Sequence, residues 1–401
     1  MTDVRRLTES QIKTLGLIAK KGRITQNGVA EELNITVPAA NVRFKKLKAQ
    51  GYIYEDIYLP SSGAGRPQRY WSINWKSNFV LGFIFVSPDL IMVLADLEGN
   101  LVFSENRNLL ECLSHADIYD LMDKFISEAK KYAKKKNGAI RSAYVGITGD
   151  ENGTVTSSVN MPVIEGMNVS QIEEYIKDKH NIFCKAYSHL YCFYFGESSY
   201  YDYGQTINVI DWDEGLGNVT GCEDQIYYFP PGAFTPRGIR DIGHMCIEKN
   251  GLECRCGNKG CLEAYVGCWA IRNRLGRKDV TTIEQFINKG LAGDEQIIAE
   301  LRKASKILGE QISWIVRYWG IDKIAFTGKM SLLFEQFNET FNEGLKVYLP
   351  QEQVQSLDAR VNSDNPLKRL ASGGCKVAKQ IFFHYKGIPE NSYSEKMNFT
   401  F

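Results

Sequence analysis

The first 75 residues alternate apolar and polar positions in a pattern that predicts three short helices followed by two strands. Apolar residues recur at helical spacing over 7–20, Thr25 and Thr36 are suited to cap the next two helices, and Gly51 stops the third. After Gly51, two alternating segments flank a glycine-rich loop, as expected for two paired strands. Helices joined by a short turn and followed by such strands form a winged helix-turn-helix.

The remaining residues, 76–401, alternate strand-like and helix-like patterns. Such alternation predicts an α/β body. Two strands are expected on either side of a tight turn at 87–88, and a second turn is expected at 98–100. The other predicted elements are helices at Ile118–Lys134, Ile283–Asn288 and Asp294–Tyr318 and strands at Ala143–Ile147, Thr206–Ile210 and Lys323–Phe326.

Composition narrows the class of protein. The chain is 44% hydrophobic, which is enough for packed cores, yet it has no apolar run of about 18 residues that would predict a membrane span. Its N-terminus lacks the apolar core of a signal peptide. The chain has ten cysteines, and three of them lie within eight residues, a pattern that favours metal binding in a reducing compartment over a disulfide framework. We therefore expect a cytoplasmic protein without a membrane partner.

Charge is distributed unevenly along the chain. Residues 1–75 contain twelve lysines and arginines against six aspartates and glutamates, a net charge of +6. The whole chain carries only +1, which leaves −5 for the remainder. A basic head on an acidic body indicates a polyanion-binding module attached to a body with another task.

The third predicted helix carries the residues expected to meet double-stranded DNA. Such a helix enters the major groove with its N-terminal half near the base edges. Asn41 and Arg43 have donors for bases or phosphates, whereas Lys45 and Lys46 suit phosphates. Arg66 in the wing loop is expected to reach a minor groove. A head used only for protein contacts is the alternative. The predicted DNA-binding residues are Thr36, Pro38, Ala39, Asn41, Arg43, Lys45, Lys46 and Arg66.

The segment H-M-C-I-E-K-N-G-L-E-C-R-C-G-N-K-G-C-L-E, residues 244–263, predicts a closed structural zinc site. Cys254, Cys256 and Cys261 supply three thiolates, and one imidazole completes a tetrahedral set. The glycines between them allow a tight turn. His244 and Cys246 are two residues apart and would share a face on a strand, so either can be the fourth ligand. Plain buried cysteines are the alternative.

This knuckle, with C-R-C-G-N-K-G-C-L-E preceded by G-H-M, resembles the signature of the ROK family (repressors, open reading frames, kinases). The head with its G-A-G-R-P loop resembles the DNA-binding head of ROK repressors, so the resemblance covers essentially the whole chain. It implies a two-lobed, actin-like sugar-kinase (ribonuclease H-like) body and favours His244 as the fourth ligand. The expected domains are a head at 1–75, a first lobe at 76–188 to which the C-terminal helix returns, and a second lobe at 189–401.

The phosphate-binding turns of ROK kinases are altered here. The family turn G-x-D-x-G-x-T matches residues 82–88, where Ile84, Val86 and Pro88 replace the Asp, Gly and Thr. Val86 would block close approach to a phosphate, and Pro88 has no N–H to donate. The second turn carries two carboxylates at 213–214, which would repel a triphosphate, and the third reads T-G-K at 327–329. The resemblance therefore predicts no ATP or Mg²⁺ binding.

The catalytic and sugar-binding positions are only partly kept. Tyr187 falls near the family's catalytic Asp, and with a pKa of about 10 it is a poor base. His189, in the same stretch, fits a structural role better than a catalytic one. By resemblance, the residues expected to bind a sugar are Asn160, Tyr187, Asp241, His244 and Glu263. The alternatives are a core position for Tyr187 and hydrogen-bonded support of the zinc site by Asp241 and Glu263.

Together these patterns predict a transcriptional regulator, most simply a repressor, rather than an enzyme. The expected partners are an operator DNA, a sugar-like effector and a second copy of the chain, because one winged helix offers few contacts and dimers bind two half-sites. The effector would act through its differential affinity for two arrangements of the body. The rival interpretations are a divergent sugar kinase and a DNA-binding protein with a non-functional sugar site.

Overall fold

The computed structural model describes most of the chain and divides it into two compact units. Unit 1 comprises 1–147, 154–187 and 374–401, and unit 2 comprises 148–153 and 188–373. Among the described residues, no helix combines the length and apolar character needed to cross a membrane. The described residues are 7–58, 68–86, 88–147, 155, 162–202, 204–222, 225–226, 242–362 and 366–382.

The head, within unit 1, is a winged helix-turn-helix. Its three strands form an antiparallel sheet in the order β1-β3-β2. The predicted caps are present, because the Thr25 and Thr36 side chains accept from the backbone N–H of Gly28 and Ala39. Phe44 is fully buried against Trp71, with ring centroids 5.1 Å apart. Its elements are α1 (Glu9–Lys21), β1 (Arg23–Ile24), α2 (Gln26–Glu32), α3 (Val37–Ala49), β2 (Ile53–Tyr58) and β3 (Gln68–Ile73).

The rest of unit 1 is a five-stranded mixed sheet in the order β6-β5-β4-β7-β8. The first three strands form an antiparallel meander, and the last two pair in parallel. Helix α4 begins at a capping box formed by Ser114 and Asp117. The elements are β4 (Asn78–Val86), β5 (Asp89–Asp96), β6 (Leu101–Asn108), α4 (His115–Lys135), β7 (Ala139–Gly146), α5 (Val169–His180) and β8 (Cys184–Tyr187).

Unit 2 is built on a second five-stranded sheet, in the order β11-β10-β9-β12-β13. Its elements are α6 (Leu190–Glu197), β9 (Thr206–Trp212), β10 (Leu216–Cys222), β11 (Gln225–Ile226), α7 (Glu263–Val266), α8 (Cys268–Leu275), α9 (Ile283–Leu291), α10 (Glu295–Trp319), β12 (Lys323–Thr327), α11 (Phe334–Leu345), α12 (Gln351–Ser356) and β13 (Asp358–Val361). Helix α13 (Pro366–Gln380) begins in unit 2 and ends in unit 1. Short 3₁₀ helices lie at Trp75–Ser77, Leu109–Glu111, Pro162–Ile164, Ser198–Tyr200, Ile242–His244 and Lys329–Leu333.

The two five-stranded sheets share one topology. In each, three antiparallel strands come first in the chain, and two parallel strands are then added beside the first of them. This shared order confirms the predicted α/β body, although the sequence shows no internal repeat. In unit 2, α10 crosses α11 closely at Gly309 and Gly344, where an added Cβ would lie 2.1 Å from a carbonyl oxygen of the other helix.

Candidate metal centre and DNA-binding helix

The backbone of the knuckle forms a small hairpin that brings its cysteines together. Cys246 pairs with Cys261 and Glu253 with Lys259 in isolated antiparallel bridges. Gly260 has φ +77°, and an added Cβ there would lie 1.8 Å from the carbonyl oxygen of Glu248. This turn therefore requires glycine at Gly260.

Four side chains of the knuckle converge on one point. The candidate ligand atoms of His244, Cys254, Cys256 and Cys261 all lie within 4.8 Å of one another. The Sγ atoms of Cys256 and Cys261 are 3.7 Å apart, and Cys254 Sγ lies 3.7 Å from His244 Nδ1. A tetrahedral zinc with bonds of about 2.0 to 2.3 Å places its ligand atoms roughly 3.5 to 3.8 Å apart. The donor set and its spacing therefore fit a zinc ion.

The environment of the thiols also suits a cation. Burial raises the pKa of Cys254 to about 12 and raises the pKa of Cys261. Thiolates in such a place need a compensating positive charge, which a divalent metal supplies. Cys246 is exposed and is not among the four convergent groups. The geometry thus groups the three cysteines with His244 rather than with Cys246.

Glu263 connects the knuckle to the turn at 213–216. Its Oε2 accepts a hydrogen bond from the backbone N–H of Leu216 at 3.1 Å, and its Oε1 accepts from Trp269 Nε1 at 3.1 Å. An added Cβ on Gly215 would lie 2.6 Å from Oε2, so this turn is packed directly against the carboxylate. Each carboxylate oxygen can accept a second hydrogen bond, which leaves capacity for a hydroxyl group.

The turns at 213–216 and 327–329 match the second and third phosphate-binding turns of ROK kinases. A hydrogen bond of Asp213 joins these two turns to each other. Its Oδ2 accepts from the backbone N–H of Lys329 at 3.1 Å, and its Oδ1 accepts from the N–H of Glu214 at 2.9 Å. Burial raises the pKa of Asp213. The Glu214 carboxylate meets Arg272 Nη2 at 2.6 and 2.7 Å, and Lys329 Nζ donates to Glu284 at 2.7 Å. The charged groups of these turns are therefore paired internally.

Of the two candidates on the predicted base segment, Tyr187 is buried in the core of unit 1 and His189 is partly buried. Tyr187 ends β8 with only 6% of its surface exposed, and its ring stacks 6.5 Å from that of Tyr144. Burial lowers the pKa of His189 to about 4, so its imidazole is neutral at physiological pH. Its ring packs edge-on against Phe193 at 5.7 Å. Both placements favour the structural interpretation.

Helix α3 presents a polar outer face that fits the predicted DNA contact. Thr36, Pro38, Lys45 and Lys46 are exposed, whereas Ala39 and Asn41 are half-buried. The Thr36 hydroxyl caps the helix, and Asn41 Oδ1 accepts from Gln26 at 3.4 Å. Val42, which the residue-type argument missed, is 54% exposed on the same face. An exposed valine there can contact a thymine methyl group.

Arg43, a predicted DNA-binding residue, is less exposed than the sequence-based expectation of an outer-face position. The side chain is half-buried, and its Nη1 donates to the Ser10 carbonyl at 3.3 Å and to Thr14 Oγ1 at 3.4 Å. It therefore holds α3 against α1. Ala40 and Leu47 are fully buried and lie three residues before and four after Arg43, so helical spacing already placed it on the inner face.

Arg141, a residue that the sequence did not single out, joins the head to the first sheet of unit 1. It is 8% exposed, and its Nη2 donates to the carbonyl of Gln50, at the C-terminal end of α3, at 2.7 Å. Its Nε donates to Asn78 at the start of β4, and its guanidinium lies 3.9 Å from the ring centroid of Tyr52. Tyr52 in turn stacks on Phe382 at 5.7 Å. A cation at a helix C-terminus also complements the helix dipole.

Three of the predicted site residues, Arg66, Asn160 and Asp241, lie outside the residues that the structure describes. The assignments of Arg66 to the wing and of Asn160 and Asp241 to the sugar site rest on sequence alone.

Two family models match the chain. The model of the ROK family matches residues 89–368, and a model of the winged helix-turn-helix DNA-binding domain matches residues 7–54. Among characterised relatives, the xylose repressor of Caldicellulosiruptor bescii is 24% identical over 318 residues, which cover 74% of this chain and 77% of the repressor. The expected family resemblance is thus confirmed for both the head and the body.

Solved structures agree with this assignment of the fold. A ROK family transcriptional regulator, a homologue of the Escherichia coli MLC protein, matches with a TM-score of 0.69 and 17% identity over 93% of this chain and 96% of that one. A ROK family glucokinase from Streptomyces griseus, in complex with glucose and AMPPNP, matches with a TM-score of 0.57 and 15% identity over 75% of this chain and 99% of the kinase. The body therefore has the sugar-kinase fold.

Proposed function

The chain belongs to the ROK family, and we propose that it is a DNA-binding transcriptional repressor whose affinity for its operator is controlled by a sugar or a sugar derivative. This proposal rests on one combination of features. A winged helix-turn-helix head is joined to a body with the sugar-kinase fold, and in that body the turns at 213–216 and 327–329 are hydrogen-bonded to each other. The similarity to a xylose repressor supports the same function.

We assign the DNA contact to the outer face of α3. Thr36, Pro38, Ala39 and Asn41 lie on its N-terminal half, where they would meet base edges, and Lys45 and Lys46 lie beyond them, where phosphates are expected. Arg66 of the wing is assigned to the minor groove. Because one head offers few contacts, we propose that the protein binds its operator as a homodimer with one head on each half-site.

Replacing Lys45 and Lys46 together with alanine should weaken DNA binding without changing which sequence is preferred. Each lysine neutralises one phosphate, so the slope of log affinity against log salt should fall by about one unit for each lost contact. The measurement is fluorescence anisotropy with operator and random DNA at several salt concentrations. The double variant Lys131→Ala/Lys134→Ala, which removes two positive charges from exposed positions of α4, is the matched control. An unchanged salt slope in the double variant would rule out this face.

We also propose that the knuckle holds one structural Zn²⁺ through His244, Cys254, Cys256 and Cys261. The four ligand atoms are close enough for a tetrahedral site that leaves no position for substrate. Zinc bound there fixes the backbone from His244 to Glu263. In this way it holds His244 and Glu263, two of the residues assigned to the sugar.

We infer that the protein lacks sugar-kinase activity. The N–H of Lys329 donates to the Asp213 carboxylate, and the Lys329 ammonium is paired with Glu284, so the donors that a phosphate would need are already used. In unit 1 the position of the family's Asp is Ile84, which is fully buried in β4. A triphosphate would also meet the negative charge of Asp213 at close range.

Calorimetric titration with ATP and Mg²⁺ should therefore give no binding, and a coupled assay should detect no phosphorylation of any sugar. Both assays should be run with zinc-loaded protein, so that a disordered knuckle cannot explain a negative result. The Streptomyces griseus kinase serves as the positive control. ATP turnover that requires both a sugar and Mg²⁺ would establish a divergent kinase instead.

A further inference from the structure

Cys246 occupies an unusual position beside the proposed zinc ligands. It lies directly opposite Cys261 in the antiparallel bridge, flanked by hydrogen bonds from Ile247 N to Gly260 O at 2.8 Å and from Leu262 N to Met245 O at 2.9 Å. These bonds lie on either side of the pair, so Cys246 and Cys261 form a non-hydrogen-bonded pair, in which facing side chains approach most closely.

This geometry permits a disulfide without movement of the backbone. Cα atoms of a non-hydrogen-bonded pair are about 4.5 Å apart, and disulfides span Cα distances of about 4.4 to 6.8 Å. Directly opposed residues of an antiparallel pair carry their side chains on the same face, so the side chains of Cys246 and Cys261 lie on one face of the hairpin.

The two thiols differ in access. Cys246 is exposed to solvent, whereas Cys261 is only 1% exposed and lies 3.7 Å from Cys256 within the ligand cluster. Of these two thiols, an oxidant in solution therefore reaches Cys246 before Cys261. A partner sulfur then stands opposite, as in redox-active cysteines with a resolving thiol.

We propose that Cys246 and Cys261 form an oxidative modification site, in which a hydroperoxide joins them as a disulfide and thereby releases the zinc ion. The Cys246 thiolate attacks the O–O bond of the peroxide and becomes a sulfenic acid, while the departing oxygen leaves as hydroxide or alkoxide. The Cys261 thiolate then attacks Cys246 Sγ, the S–S bond forms, and the second oxygen leaves as hydroxide, which is protonated to water. The peroxide takes up two electrons, and the two sulfurs supply them.

Zinc release follows from the loss of one ligand. A sulfur in a disulfide carries no negative charge for the metal, so only His244, Cys254 and Cys256 remain. The proposal rests on the zinc site proposed above, and a thiol reductant with added zinc should reverse the change.

The test begins with zinc content, so that the two proposals can fail separately. If the purified protein contained much less than about one zinc ion per chain, the zinc assignment itself would be wrong. Zinc-loaded wild type, Cys246→Ser and Cys222→Ser are then treated with hydrogen peroxide beside a chromogenic zinc chelator. Cys222 is a half-exposed cysteine of unit 2 outside the cluster and is the matched control.

Wild type and Cys222→Ser should release zinc at the same rate, and Cys246→Ser should release it at least about tenfold more slowly, because a cluster thiol must then react directly. Equal rates in all three proteins would overturn the proposal, since direct attack on Cys256, which is also exposed, would then suffice.

Digestion with trypsin allows the cysteines joined in the disulfide to be identified by mass spectrometry. Cleavage after Lys249, Arg255 and Lys259 puts Cys246, Cys254 and Cys256 on three different peptides and puts Cys261 on a fourth. Mass spectrometry should find the peptides 241–249 and 260–272 joined by a disulfide after peroxide treatment. The second peptide also contains Cys268, which is fully buried, and fragmentation should assign the bond to Cys261. A link between 256–259 and 260–272 as the main product would refute the proposed pair.

Discussion

Cys256→Ser is expected to abolish zinc binding and to lower the free energy of unfolding of unit 2 by at least about 3 kcal/mol, because structural zinc sites contribute their binding free energy directly to folding. The knuckle packs on the main core of unit 2 near its two ends, through Met245, Ile247 and Leu262. Its own apolar cluster has five buried residues, of which only Trp269 is large and the others are Cys254, Cys261, Ala264 and Ala270. Without the ion, three thiols and an imidazole would also be left crowded together.

Zinc content by elemental mass spectrometry and thermal unfolding of the purified variant provide the measurement. Cys222→Ser controls for the loss of a thiol elsewhere in unit 2, and it should keep both the metal and the melting temperature. Cys246→Ser should behave in the same way, because Cys246 lies outside the convergent set. If Cys256→Ser retained one zinc and melted like wild type, the site would have to be assigned to other residues.

Arg141→Met is expected to have the second largest effect, lowering the free energy of unfolding of unit 1 by roughly 2 to 4 kcal/mol, because hydrogen bonds to charged groups contribute about 1.5 to 3 kcal/mol each. Methionine keeps much of the apolar stem but leaves the Gln50 carbonyl and the Asn78 amide oxygen without the guanidinium. The head should then be less firmly held, so operator affinity should fall even though no DNA-contacting residue has changed.

Hydrogen exchange distinguishes this effect from general destabilisation. Backbone amides of α3 and of the segment that follows it should exchange faster in Arg141→Met, while those of α4 should change less. Arg107→Met, which removes an exposed arginine of β6 that is paired with Glu105, is the control. Normal operator affinity together with unchanged exchange in α3 would show that Arg141 does not position the head.

Local features of the fold were the most predictable from sequence. Thr25 and Thr36 cap helices because a hydroxyl at the start of an apolar helical pattern satisfies a free N–H whatever the rest of the chain does. The ligand spacing of the knuckle is likewise local, and the four groups do converge. Both predictions depend on residues close together in the chain.

Contacts between distant residues were not predictable in this way. The Arg141–Gln50 bond spans 91 residues and the Asp213–Lys329 bond spans 116, and no periodicity marks either pair. The sequence could show that the negative charge of Asp213 would repel a phosphate group. It could not show that the Asp213 carboxylate accepts a hydrogen bond from Lys329, in the turn where kinases bind phosphate. Arg43 is a different case, because helical spacing alone was sufficient to predict that its side chain is turned towards α1.

The central claim, that a sugar controls binding to DNA, is tested most directly by measuring operator affinity in the presence of sugars. Fluorescence anisotropy with operator DNA should be repeated with pentoses, hexoses, amino sugars and sugar phosphates, after thermal-shift screening has selected those that bind. The account predicts that at least one sugar raises the melting temperature and weakens operator binding by about fivefold or more, the range of typical allosteric coupling. Specific DNA binding that no sugar changes, with no thermal shift from any of them, would contradict it.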